Sequence, residues 1–201
     1  MTSVAVIAHQ RKRLGGGLSE LRRVLSDRGY TEPIWYEVAK SREAPSKARN
    51  AVEDGADLLL LWGGDGTVQR CVDAVAGSDV TVAILPAGTA NLLANNLGVP
   101  IDLEAAVDVA LHGARRRLDL GVLNGERFAV MAGVGFDAIM VKDADGGLKD
   151  RFGRLAYVWT GARATQMKAP RMSIKVDGAV WFKGRATCLL LGNMGDRKSV
   201  V

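Results

Sequence analysis

The chain has 201 residues, enough for one large domain or two small ones, and its 48% apolar and 24% charged residues are ordinary for a globular protein. No stretch approaches the ~18 continuous apolar residues of a membrane span. Met1-Thr2-Ser3 lacks the basic start and apolar core of an export signal, so a cytoplasmic location is expected. A net charge of +5 suits anionic partners, whether nucleotides, acidic membrane surfaces or nucleic acid, while 5% aromatic residues disfavour a base-stacking nucleic-acid surface.

Val4–Ala8 is a short apolar run that predicts a first strand. His9–Gly17 follows, with Arg11, Lys12 and Arg13 ahead of Gly15-Gly16-Gly17. This segment is either a phosphate-contacting loop or a solvated flexible one, and His9 by itself reads as a capping or surface histidine. Leu18, Leu21, Val24 and Leu25 fall at helical spacing, with Ser19 as candidate cap and Gly29 as the stop. Pro33–Val38 predicts a second strand, Lys47–Glu53 a second helix and Leu58–Trp62 a third strand. A β-α-β-α-β series implies right-handed crossovers and a parallel sheet.

The run Leu58-Leu59-Leu60-Leu61-Trp62 reads as a strand buried on both faces. It ends in Gly63-Gly64-Asp65-Gly66-Thr67, and Val68, Cys71, Val72 and Val75 then mark a helix that opens at Thr67. Ligands of parallel sheets sit off the carboxyl ends of the strands. Backbone N–H groups converging there, together with a helix N-terminus, make an anion site. Asp65 is the odd member, because a carboxylate repels phosphate unless it faces a metal ion or accepts a hydrogen bond. The loop is therefore either a phosphate cradle with a magnesium-oriented carboxylate or a plain strand-to-helix turn. Neither Gly-x-x-x-x-Gly-Lys-Ser/Thr nor a helix-opening Gly-x-Gly-x-x-Gly is present.

Val80–Leu85 predicts a fourth strand running into Pro86-Ala87-Gly88-Thr89-Ala90-Asn91. A short helix carries Leu92, Leu93 and Leu97, and Asp102 can cap a longer one, Leu103–Leu111. Character changes near Arg115-Arg116-Arg117. Beyond it come turns at Asn124-Gly125, Asp145-Gly146-Gly147 and Asp177-Gly178, and one helix, Leu155–Met167. Residues 1–118 are thus read as an α/β nucleotide domain and 119–195 as an incomplete antiparallel β-sandwich. Cys71 and Cys188 sit among apolar residues and read as buried reduced thiols.

Gly63-Gly64-Asp65-Gly66-Thr67-Val68, followed about twenty residues later by Pro86-Ala87-Gly88-Thr89-Ala90-Asn91, resembles the diacylglycerol kinase catalytic-domain family. Asp119-Leu120-Gly121, Gly133-Val134-Gly135-Phe136-Asp137-Ala138 and Gly153-Arg154-Leu155-Ala156-Tyr157 extend the resemblance along the chain. The Gly63–Thr67 element is shared with NAD kinases; the Pro86–Asn91 element at this distance favours the lipid kinases. The resemblance implies ATP bound between an α/β domain and a β-sandwich, with magnesium and a lipid hydroxyl as phosphoryl acceptor. By position, Gly63, Gly64, Asp65, Gly66 and Thr67 would cradle the phosphates and Thr89 would contact the nucleotide. Asp65 and Asp119 would belong to the metal network. Asp119 taken alone reads equally as a strand-end capping carboxylate.

Two stretches depart from the family pattern. Its first loop usually reads Asn-Pro-x-Ser-Gly, where this chain has Ala8-His9-Gln10-Arg11-Lys12, and many members carry aspartate where this chain has Leu92. The family also continues beyond Asn193 to an Asp-Gly-Glu motif that supplies the proposed general base, so no catalytic base is assigned. Asp196–Val201 can be encoded by sequencing-adapter read-through and is expected to be a non-native tail on a truncated chain. The readings carried forward are an ATP-dependent lipid kinase meeting its substrate at a membrane surface, an NAD kinase-like enzyme, and a non-catalytic nucleotide- or lipid-binding module. Arg11-Lys12-Arg13 and Arg115-Arg116-Arg117 either attract an anionic membrane, allowing peripheral contact, or simply solubilise the chain.

Overall fold

A computed structural model of the chain describes residues 2–135 and 169–193. These fall into two compact units divided between Val130 and Met131. The expected helix Leu155–Met167, the turn at Asp145-Gly146-Gly147, the segment Gly153–Tyr157, residues Phe136-Asp137-Ala138 and the tail Asp196–Val201 lie outside the described residues.

The first unit is built on a parallel sheet of four strands, β1 (Val4–His9), β2 (Ile34–Val38), β3 (Leu58–Gly63) and β4 (Thr81–Pro86), in the order β2-β1-β3-β4. Every residue of β1 and β3 is buried, as expected of central strands with helices on both faces. Alternation sorts their side chains. Ala5, Ile7, Leu59 and Leu61 face α2 (Ala44–Glu53) and α3 (Asp65–Val75). Val4, Val6, Ala8, Leu58, Leu60 and Trp62 face α1 (Leu18–Asp27) and α5 (Leu103–His112). On the surface, α1 and α5 are joined by ion pairs of Arg28 with Asp108 and of Arg23 with Glu104.

Three helix starts differ from expectation. The first residue before α1 is Gly17 rather than a capping Ser19, and no side chain caps that end. A single 3-10 turn, Ser41–Glu43, leads into α2, which begins at Ala44 with Pro45 in its first turn; proline is compatible there because first-turn N–H groups have no helical acceptor. Helix α3 begins at Asp65, with Gly64 as its extended cap residue, so Thr67 lies inside the first turn rather than opening it. Asp102 does cap α5, accepting from the Ala105 N–H at 2.9 Å.

After α5 the chain forms a hairpin of β5 (Gly121–Leu123) and β6 (Glu126–Phe128). Asn124 and Gly125 both take positive φ (52° and 87°), as a tight two-residue hairpin turn requires. This hairpin stays with the first unit. Gln69 of α3 donates to the Arg127 carbonyl and accepts from the Ala129 N–H, while Asp73 accepts from the Arg127 N–H.

The second unit is antiparallel among its described residues. β7 (Met131–Gly135) pairs with β10 (Cys188–Gly192), and β8 (Arg171–Val176) pairs with β9 (Ala179–Arg185). Asp177-Gly178 makes the β8–β9 turn with positive φ at both residues. The α/β parallel sheet followed by antiparallel strands is the fold class expected from the sequence. Among the described residues no helix is long and apolar enough to cross a membrane.

Candidate functional site

Three loops meet at the carboxyl edge of the parallel sheet: one after β1, one after β3 and one after β4. The last two touch backbone to backbone. A Cβ at Gly88 would lie 2.4 Å from the Gly64 Cα, and one at Gly64 would lie 3.1 Å from the Gly88 Cα. At Gly88 only glycine permits this approach, while a side chain at Gly64 would require the neighbouring backbone to give by a few tenths of an ångström. Asn91 fixes the β4 loop from within. Its side-chain oxygen accepts from the Gly88 N–H at 2.9 Å, and its amide donates to the carbonyls of Pro86 and Gly88, each at 3.1 Å. The residue is buried and left-handed (φ 48°), a conformation asparagine tolerates better than most residues.

Asp65 joins the same two loops. Its Oδ1 accepts from the Leu92 N–H at 2.5 Å, so it serves as an acceptor for the first turn of α4 (Leu92–Asn96) rather than for its own helix. Its second oxygen has no hydrogen-bond partner among the described residues. The contact is made by the backbone of Leu92, whose side chain is exposed.

The members of Gly63–Thr67 therefore divide. A Cβ at Gly63 would strike Thr67 at 2.8 Å, and Gly64 abuts Gly88. Thr67 is 1% exposed, and its hydroxyl lies 3.0 Å from the Ser41 hydroxyl, so this side chain underpins the loop from beneath. The Thr67 N–H is also engaged, with the Gly64 carbonyl at 3.0 Å. Gly66 differs from its neighbours. Its φ is not positive, it is exposed, and a Cβ there would meet nothing within 4 Å. The N–H groups of Asp65 and Gly66 belong to the first turn of α3 and have no acceptor earlier in that helix.

The loop after β1 is seated on β3. The buried Trp62 indole N–H donates to the Lys12 carbonyl at 3.2 Å, and Leu14 packs into the same apolar cluster as Trp62. Glu20 accepts from the Gly16 N–H at 2.5 Å. Arg11, Lys12 and Arg13 form no ion pair with any described residue, and neither do Arg115, Arg116 and Arg117. His9, at the end of β1, is buried rather than on the surface. Its Nδ1 accepts from the Arg11 N–H at 3.3 Å. Burial first, and then the Lys12 ammonium, hold the imidazole below the usual histidine range, with a hydrogen bond to its own backbone and, more weakly, Glu43 acting the other way.

Thr89 is exposed on the β4 loop, beside the Gly88 that touches Gly64. Asp119 is exposed in the segment between α5 and β5. The structure thus brings Gly63–Thr67 together with the loop bearing Thr89, and no hydrogen bond or ion pair links Asp65 to Asp119. Among the described residues no group of three or more His, Cys, Asp or Glu side chains is placed to hold a metal ion. Asn91 stood in the Pro86–Asn91 motif, but its bracing of the loop was not legible in sequence, and neither was the Trp62 contact with the Lys12 carbonyl.

The family model for the diacylglycerol kinase catalytic domain matches residues 7–123, more than half of the chain. The chain belongs to that family. It is 32% identical over 160 residues to a diacylglycerol kinase of Staphylococcus saprophyticus, covering 78% of this chain and 52% of the relative. It is 30% identical over 178 residues to a diacylglycerol kinase of Bacillus subtilis, covering 87% of this chain and 58% of the relative. The chain thus spans about half the length of these curated relatives. Its fold is similar to that of a diacylglycerol kinase crystal structure from Bacillus anthracis, with a TM-score of 0.71 at 23% identity, covering 96% of this chain and 64% of that one.

Proposed function

We propose that the first unit binds ATP at the carboxyl edge of its parallel sheet and serves an ATP-dependent kinase that phosphorylates a lipid hydroxyl. The observation that carries the nucleotide reading is Gly66. The other two glycines of the motif are accounted for by packing against Thr67 and Gly88; Gly66 is not. A glycine with open space above it, on the first turn of a helix with unpaired N–H groups, suits close approach of an anion.

In this reading the N–H groups of Asp65 and Gly66 bind phosphate oxygens. Thr89 lies on the rim of the site for the remainder of the nucleotide. Gly63, Gly64, Asn91 and Thr67 keep the loops in place before the ligand arrives. The uncommitted Asp65 oxygen fits a water ligand of magnesium better than a direct metal bond, because the carboxylate is already tied to Leu92. Asp119 is the second carboxylate of that network in this proposal. Magnesium, when bound, neutralises phosphate charge as it builds on the leaving group. The arginines and lysine at positions 11–13 and 115–117, which form no ion pair with any described residue, favour an anionic membrane surface, where a lipid substrate would be met from the cytoplasmic side.

A phosphorylation assay with labelled ATP tests this, offering diacylglycerol, a sphingoid base and NAD in parallel. Product with a lipid supports the proposal. Product with NAD alone supports the NAD kinase-like reading. ATP binding without turnover of any acceptor supports a non-catalytic module, a reading that the apolar side chain at Leu92 favours.

A further inference from the structure

Helix α3 does two jobs along one stripe. Gly66, Gln69 and Asp73 are spaced i, i+3 and i+7, so they follow one another down the same side of the helix. Gly66 carries the open space assigned above to phosphate. Gln69 and Asp73 carry the hairpin that ends the first unit. The Gln69 carboxamide donates to the Arg127 carbonyl and accepts from the Ala129 N–H, the latter at 3.0 Å. Asp73 accepts from the Arg127 N–H at 3.0 Å, and its carboxylate lies 3.8 Å from the Arg127 guanidinium.

These side chains stand in for a neighbouring strand. The hairpin closes on the pair Leu123 and Glu126, so Arg127 and Ala129 turn their backbone groups away from β5. On that outer edge a second strand would answer the Arg127 carbonyl and the Ala129 N–H with one peptide group. Gln69 answers both with one side-chain amide, which carries a donor and an acceptor in the same planar group; a carboxylate has no donor to offer. The direction of the segment follows from its partners. Arg127 is met by Asp73 and Gln69, and Ala129 by Gln69, so the chain runs from the middle of α3 toward the Gly66 end of the stripe. Leu120, Ala129 and Val130 anchor it in the apolar cluster shared with α2 and α3, and the first unit ends at Val130.

We propose that Gln69 is a positioning residue for the transfer reaction: its carboxamide fixes residues 127–130 to α3, so that a phosphate received at Gly66 and the chain leaving the first unit are held by one stripe of one helix and move together. The inference rests on the nucleotide-binding reading above. Gly66 and Gln69 are about 4.5 Å apart along the helix axis, less than one turn, and a helix carries a displacement of its first turn over that distance as a rigid body. Transfer is sensitive to misplacement of about 1 Å, so a tie of this kind bears on the reaction without touching the ligand. Asp73 supports the same segment one turn further on, where it holds Arg127 by backbone and side chain.

Nuclear magnetic resonance of the 13C,15N-labelled protein tests this, following the Gly66 amide, the Arg127 carbonyl carbon and the Ala129 amide during titration with MgATP and with inorganic tripolyphosphate. In wild type all three should shift along one binding curve. Gln69→Leu removes both hydrogen bonds. Gly66 should still shift, with a MgATP dissociation constant within about three-fold of wild type, while the shifts at Arg127 and Ala129 fall to roughly half or less. Gln69→Glu keeps the acceptor and loses the donor, so at neutral pH Ala129 should follow the ligand and the Arg127 carbonyl should not. A purely structural role would lower the melting temperature of both variants and leave the ligand response of residues 127–129 intact, and that result overturns the inference. So does a wild type in which Gly66 shifts while Arg127 and Ala129 stay still; the nucleotide reading then survives. If Gly66 is silent as well, both fall.

Discussion

Substituting alanine at Gly88 and at Gly66 should separate support from contact. At Gly88 the new Cβ would sit 2.4 Å from the Gly64 Cα and 2.6 Å from the Asn91 Oδ1. Carbon atoms prefer separations of about 3.5–4.0 Å, so relief requires the two loops to part by roughly 1 Å. Neither neighbour yields cheaply, because one is backbone and the other holds three hydrogen bonds. Overpacking of this kind costs about 1–3 kcal/mol. For a chain of this length that lowers the melting temperature by roughly 2–12 °C. Gly66→Ala meets nothing within 4 Å and lies in a helix, so stability should hold or rise slightly. Its methyl group would nevertheless occupy the space assigned to phosphate, and MgATP affinity should fall about ten-fold or more. Thermal or urea unfolding together with titration calorimetry reads both effects. An unchanged melting temperature for Gly88→Ala would refute the loop-contact argument, and unchanged affinity for Gly66→Ala would refute the assignment of that open space.

Asn91→Ala should destabilise the first unit by about 2–4 kcal/mol, since it strips partners from the Gly88 N–H and two carbonyls and places alanine at φ 48°; a urea midpoint equal to wild type would contradict this. Burial pushes the Cys71 thiol up to about 12, so in a Cys188→Ser background Ellman's reagent at pH 8 should react only as the protein opens, and instant stoichiometric labelling of the folded protein would contradict the burial. His9 is held below the ordinary histidine value of 6.5 in the folded state, so the unfolded chain takes up the proton first as pH falls. Stability should therefore drop as pH is lowered from about 6.5 toward the folded value, and His9→Gln should flatten that limb of a urea midpoint against pH curve; an identical slope in the variant would show that other groups set it. Asp108, held below 3.8 by Arg28, acts in the same direction but only in a more acidic window.

The parallel sheet was legible because β1 and β3 are buried on both faces and read as unbroken apolar runs. Helix starts were less so. Thr67 looked like the residue that opens α3, but the turn is made by Gly64, and the threonine hydroxyl reaches back to Ser41 across 26 positions in sequence. No local pattern announces such a contact. His9 illustrates the opposite failure. Its parity with Ala5 and Ile7 already placed it on an inward face; a lone histidine after a short strand reads as a capping or surface residue, and His9 does accept the Arg11 N–H, but from a buried position. The β5–β6 hairpin was visible from Asn124-Gly125. Its attachment to α3 depends on Gln69 and Asp73, more than fifty residues earlier, and periodicity carries no trace of that. The glycine motifs were conspicuous as a pair, but what joins them, Gly64 against Gly88 and Asp65 to the Leu92 N–H, exists only in the folded chain.

That pairing explains how five consecutive residues can both build a site and serve it. Gly63, Gly64, Thr67 and one oxygen of Asp65 are consumed by the fold: they set the turn, the loop contact and the link to α4. What remains outward is the open face of Gly66, two first-turn N–H groups and the second Asp65 oxygen. A donor array stabilises developing charge efficiently only if it does not have to reorganise when the ligand arrives. Here the rigidity comes from buried hydrogen bonds and from a backbone contact that admits no side chain, and it persists whatever side chain stands at position 92. Leu92 therefore leaves the loop pairing intact and, in the proposed reading, bears only on how many carboxylates would share a metal network. In the proposed reading, nucleotide capture falls to loops that the first unit braces by itself, apart from the later transfer chemistry.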